Sequence, residues 1–243
     1  MDFTLSKYRE LLIALNNYGE VILRHDVDLK PNNSLATALL EHELGWKAVY
    51  YFRAVPESWN EAVIKEIAGL GHEIGYHYES LTTCNGDIQA AYQDFSDNLE
   101  KLRALVPVKS ICMHGSPKSK WDSRDLWKYY DYHSLGITFE PYFDMDFSQW
   151  FYLTDTGRRW DGFKVSVRDK IPGYQDEWIA KGWIYHKTND ILRAIDHGQL
   201  PRKLMITTHP QRWTNNGLSW TKEFLMQNVK NMIKRILIIN ANH

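Results

Sequence analysis

Cysteine is scarce: Cys84 and Cys112 are the only two in 243 residues. Two cysteines make no disulfide framework, and no Cys-x-x-Cys spacing offers a structural zinc site. Charge of one sign is not in excess either, with 29 Lys and Arg against 30 Asp and Glu and a net charge of -1. A balanced chain has no general electrostatic pull toward nucleic acid or an anionic membrane, so neither is an expected partner. No apolar run approaches the ~20 residues of a membrane-spanning helix. Met1 to Arg9 carries no apolar segment behind a basic one, so no signal peptide is read and the cytoplasm is the expected compartment. Proline and glycine, 8 and 14 residues, nowhere cluster into a linker, and no repeat or low-complexity tract divides the chain. A single domain over 1–243 is expected, long enough for a full core and within the range of one α/β barrel.

What the chain does have is aromatic side chains, with 10 Trp and 14 Tyr. Such a surplus suits stacking on sugar rings and equally suits an ordinary core. Apolar runs alternate between strand-like and helix-like spacing. Val21-Ile22-Leu23, Ala48 to Phe52, His72 to His77, Ser110 to Met113 and Lys203 to Thr208 read as strands. Gln149 to Leu153 and Phe163 to Val167 are shorter strand candidates. Ser6 to Leu15, Leu35 to Leu44, Glu57 to Leu70, Ile88 to Leu105, Arg124 to Tyr132, Thr188 to His197 and Ser219 to Ile236 read as helices. Strands separated by helices imply right-handed βαβ units and a parallel sheet. In a parallel barrel the chemistry gathers at the C-terminal ends of the strands.

Asp26, Asp28, His77, His114 and His209 all fall at such ends. Residues two apart on a strand share a face, so Asp26 and Asp28 stand side by side. Paired carboxylates repel unless a cation or a proton resolves the conflict. A divalent metal on Asp28, with Asp26 left as a general base, resolves it. Asp28 and His77 offer the oxygen and nitrogen that suit Zn²⁺ first, with Co²⁺, Ni²⁺ or Fe²⁺ as alternatives. His209 is the candidate general acid. His114, before Gly115-Ser116-Pro117, is open as a ligand, a substrate hydrogen-bond donor or a loop residue. Each has an ordinary alternative: a helix cap before Pro31 for Asp28, a core histidine for His77, a turn histidine before Pro210 for His209. By alternation His25 and His72 face away from this set and read as structural.

Asp26-Val27-Asp28, Gly71-His72-Glu73-Ile74-Gly75-Tyr76-His77 and Thr208-His209 together resemble the motifs of the polysaccharide deacetylase family, also called NodB-homology or carbohydrate esterase family 4. The resemblance covers roughly residues 20 to 213. It implies a distorted (β/α)7 TIM-like barrel and a metal-dependent hydrolase that removes an acetyl group from an N-acetylated sugar or glycan precursor. Two departures qualify what carries over. The family's second motif places another histidine where this chain has Leu81, so the third ligand falls to His114, or else to Glu79. The usual arginine-proline motif is replaced by Cys112 to Pro117, leaving Arg124, Arg158 and Arg159 as candidates to orient the base. In the polar stretch Thr154 to Gly162, Arg158 and Arg159 could meet an anionic sugar nucleotide. A solvated loop with surface arginines is the alternative for these two, and Trp160 and Trp213 could stack on a sugar ring, with local packing as their alternative. Different readings on the same barrel are a carbohydrate-binding protein without catalysis and an amidohydrolase of a non-sugar amide, with or without a metal.

Overall fold

The computed structural model describes residues 1–116, 119–161, 171 and 173–241, and the side chains among these as far as residue 232. Six strands form one sheet, in the order β4-β3-β2-β1-β6-β5. They are β1 (Glu20–Val27), β2 (Ala48–Phe52), β3 (Glu73–Tyr78), β4 (Val108–Met113), β5 (Phe151–Thr154) and β6 (Lys203–Thr208). The pairs β2–β3, β3–β4 and β5–β6 are parallel. Phe139 adds a parallel bridge to Ser110 on the far side of β4. With that bridge counted as a strand position, the sheet has seven positions among the described residues, Phe139 lying next to β4. The α/β class expected from the alternating pattern is therefore the one observed. The strand expected over Phe163 to Val167 lies outside the described residues.

The residues cluster into two compact units, 24–146 and 1–23 with 147–243, and β1 contributes to both. In the first unit, α2 (Pro31–Glu43), α3 (Glu61–Gly69), the short α4 (Ser80–Thr83) and α5 (Ile88–Arg103) alternate with the strands. Side chains start two of these helices. Asn60 accepts from the Val63 N–H and Asp87 from the Ala90 N–H, satisfying donors that the first turn leaves open. On α5, Ala91, Phe95, Leu99 and Leu102 form the buried stripe, at the helical spacing that turns one face to the core. Burying such side chains contributes on the order of 1.5–3 kcal/mol each for the large ones. Gly71, at φ +87°, turns α3 into β3 in a conformation that costs a residue without a Cβ little.

The helix expected over Arg124 to Tyr132 is instead two 3₁₀ turns, Ser123–Lys128 and Tyr132–Leu135. Asp122 and Asp131 explain the tighter turns, since each bonds the backbone N–H two residues on, at Arg124 and His133. The short α6 (Pro141–Asp144) follows.

In the second unit, α1 (Leu5–Leu15) packs against α8 (Thr188–Asp196). Tyr8, Leu11, Leu12 and Leu15 form the buried face of α1. This unit also carries α7 (Gln175–Ala180) and the C-terminal α9 (Gly217–Ala241). No helix among the described residues is long and apolar enough to cross a membrane.

Candidate metal centre

Strand alternation builds the site in layers. In 24–146, the first layer holds Arg24 on β1, Tyr51 on β2, Gly75 on β3 and Ser110 on β4. Two residues further along these segments stand Asp26, Arg53, His77 and Cys112, and two further again Asp28, Glu79 and His114. His77 and Cys112 are register partners on neighbouring strands, so both side chains face the same way. Gly75 leaves the space that the Tyr51 ring fills, since a Cβ there would lie 2.3 Å from two ring atoms.

Asp28, His77 and His114 bring one ligand atom each within 4.8 Å of one another. Asp28 Oδ1 lies 3.6 Å from His77 Nε2 and 3.5 Å from His114 Nε2. Donors bound tetrahedrally at zinc-ligand distances are spaced by about 3.4 Å, so the gaps match what one such ion would need. Both imidazoles are presented correctly. His77 Nδ1 donates to the Cys112 carbonyl at 2.9 Å, and His114 Nδ1 donates to Glu79 Oε2 at 2.8 Å. Each ring then turns Nε2 toward Asp28. Burial carries the His77 pKa down to about 4, against the raising effect of Asp26. The ring is therefore neutral at pH 7, as a metal ligand must be.

Glu79 stands behind His114, bonded to the ring nitrogen that faces away from Asp28. Arg53 donates to its Oε1 through Nε at 2.9 Å and Nη2 at 2.5 Å. Burial pushes the Glu79 carboxyl up, but His114 and Arg53 outweigh it and hold the value at about 2. A carboxylate behind a ligating histidine fixes the ring and raises its basicity. Leu81 is buried on α4. Asp28 is not the cap of α2: that position belongs to Lys30, and no side chain caps the helix.

Asp26 lies beside the set, its Oδ2 3.8 Å from His77 Nε2. A bidentate pair holds it, Arg24 Nε to Oδ1 at 2.8 Å and Nη2 to Oδ2 at 2.7 Å. Arg24 is thus the arginine that orients this carboxylate, in place of Arg124, Arg158 or Arg159. The sequence carries the signal, because Arg24 and Asp26 are two apart on one strand. Arg124 pairs with Asp122 and Arg159 with Asp161. On the other sheet face, His25 meets buried Glu41 at 2.7 Å, and Tyr50 donates to the same carboxylate at 2.6 Å. His72 bonds the Ala38 carbonyl, at 3.0 Å.

The second unit holds a separate cluster around Asp155. His209 Nδ1 donates to Asp155 Oδ1 at 2.6 Å, and the His209 backbone N–H donates to Oδ2 at 3.0 Å. Arg212 Nη1 donates to Oδ1 at 2.6 Å and Trp213 Nε1 to Oδ2 at 2.7 Å. Burial would raise the Asp155 carboxyl; Arg212 and His209 overcome this and hold it at about 2. His209 consequently has its ring held through Nδ1. Trp213 is buried, acting on Asp155 through its N–H. Trp160 is fully buried and donates to Thr188 Oγ1 at 3.0 Å. Both rings pack near Phe3. Arg158 is boxed by Phe3, Trp220 and Phe224, its guanidinium carbon 4.7, 4.8 and 5.5 Å from their centroids. These three side chains are engaged within the fold.

No family model matches the chain and no curated protein matches it. Among solved structures, it is similar to the Xyl-CE4 domain of a multidomain xylanase from the hindgut metagenome of Trinervitermes trinervoides. The alignment covers 89% of this chain and 84% of that one at 13% identity, with a TM-score of 0.41.

Proposed function

We propose that the chain is a metal-dependent hydrolase of amide bonds that removes an acetyl group from an N-acetylated sugar or glycan precursor. The carrying observation is the convergence of Asp28, His77 and His114, each ring tied at Nδ1, beside a carboxylate clamped by arginine. One oxygen and two neutral imidazole nitrogens suit Zn²⁺, and Co²⁺, Ni²⁺ or Fe²⁺ in its place. Bound there, the ion would supply Lewis-acid polarisation of the acyl carbonyl and lower the pKa of water. Asp26 takes the proton of the attacking water, and the Arg24 fork sets the plane of the carboxylate that receives it. His209 gives its Nε2 proton to the leaving nitrogen, while Asp155 balances the imidazolium that precedes this transfer. The sugar assignment rests on the motifs around His77 and His209, and the cytoplasm is the proposed place of reaction.

The test is acetate release from N-acetylated sugars and sugar nucleotides by Zn²⁺-loaded protein. Asp26→Asn is expected to lose on the order of 10²-fold or more in rate. Unchanged activity in Asp26→Asn would sink the assigned base. Sugar binding without acetate release would mark a binding protein, and cleavage of simple amides alone a different amidohydrolase.

A further inference from the structure

The layer beneath the Asp28 set contains a second group of ligand types. Asp26, His77 and Cys112 also bring one ligand atom each within 4.8 Å of one another. All three are buried, whereas Asp28 and His114 are partly exposed. The two groups differ in chemistry as well as depth. The outer one is oxygen and nitrogen only; the inner one adds sulfur, which selects softer ions. Neither cysteine of the chain is in a disulfide. His77 belongs to both groups, and its Nδ1 is committed to the Cys112 carbonyl. Only Nε2 is left to give, and it can serve one ion at a time.

We propose that Asp26, His77 and Cys112 form an inner metal position for thiophilic divalent ions such as Cd²⁺, whose occupation excludes an ion from the Asp28–His77–His114 set. The exclusion clause rests on the function proposed above; the inner position does not. On binding, the sulfur–metal bond forms as the Cys112 thiol releases its proton to solvent. The Arg24 guanidinium beside Asp26 opposes a cation there. With Cys112 as thiolate, its charge and that of Asp26 still leave the group, Arg24 included, with one net negative charge. An ion held at this depth also occupies the carboxylate assigned as base, so a thiophilic metal would act as an inhibitor that competes with the working ion.

The test follows the near-ultraviolet thiolate-to-cadmium charge-transfer band as Cd²⁺ is added to metal-free protein. The band is expected in the wild type and in Cys84→Ser, to be lost in both Cys112→Ser and Cys112→Ala, and to survive in His114→Ala. Dialysis of Cd²⁺-loaded wild type against Zn²⁺ is expected to show no added zinc until cadmium leaves. Absence of the band from folded wild type, or its persistence in Cys112→Ser, overturns the inner position. Zinc bound alongside undiminished cadmium overturns the exclusion. Zn²⁺ uptake by Cys112→Ser, and its loss on adding Asp28→Ala, test the outer set separately. If uptake survives Asp28→Ala while the cadmium band stands, the outer reading fails and the inner position remains.

Discussion

At Asp155 four donors meet one buried carboxylate: the His209 N–H and ring, Arg212 and Trp213. Its carboxyl sits at about 2 instead of 3.8. A depressed carboxyl contributes stability above its unfolded value, and that contribution is lost as pH falls from about 4 through about 2. The shift corresponds to on the order of 2 kcal/mol. Asp155→Asn is therefore expected to lower stability at pH 7 by about that amount, and to flatten the loss of stability on acidification. Denaturant titrations at pH 7 and pH 3 would show it. Equal losses at both pH values would refute the charge argument. The same variant should slow acetate release, since a neutral amide no longer balances the imidazolium. Sequence reading reached His209 but missed Asp155, because the two are 54 residues apart and only the fold joins them. Arg24 was missed as well, in favour of Arg124, Arg158 and Arg159, although strand alternation places it beside Asp26 without any tertiary information.

Among the elements, β3 depends on one residue without a side chain, Gly75. Ala at Gly75 would place its Cβ against the Tyr51 ring at 2.3 Å. The ring is fully buried, so it has no solvent side to swing into. Overpacking of this kind costs about 1–3 kcal/mol. It would push β2 from β3 one layer below His77. Gly75→Ala is expected to lower the thermal midpoint and to weaken Zn²⁺ binding together, measured by calorimetry and by metal titration. Unchanged values for both would show that Tyr51 yields cheaply. The period-two pattern that places Gly75 and His77 on one face is read directly from the chain. The 3₁₀ turns after β4 are not, because the apolar spacing of Leu126, Trp127 and Tyr130 suits an α-helix equally well. There the choice falls to Asp122 and Asp131, whose side chains bond the backbone two residues on.

For the whole molecule, the sequence discloses strands that alternate with helices and active groups at the strand ends. It does not disclose which imidazole stands nearest Asp28. That depends on β3 and β4 being neighbours in register, which pairs His77 with Cys112 and so carries His114 up beside His77. The result ties three strand ends, those of β1, β3 and β4, to one small volume. An ion bound there stabilises the folded chain by mass action, since unfolding separates its ligands. At a free concentration a thousandfold above Kd the gain is about 4 kcal/mol. For a chain of this size that raises Tm by roughly 8–16 °C. Zn²⁺ is expected to produce such a rise in the wild type, and a chelator to reverse it. His77→Ala should abolish the rise, since it removes the donor common to both candidate sets. Asp155→Asn should retain it at a lower starting Tm, because Asp155 supplies no ligand. Glu79→Gln falls between: the ring of His114 keeps a hydrogen-bond acceptor but loses the charge behind it, so zinc affinity should drop on the order of tenfold. A zinc-induced rise of equal size in His77→Ala would place the ion somewhere other than these strand ends.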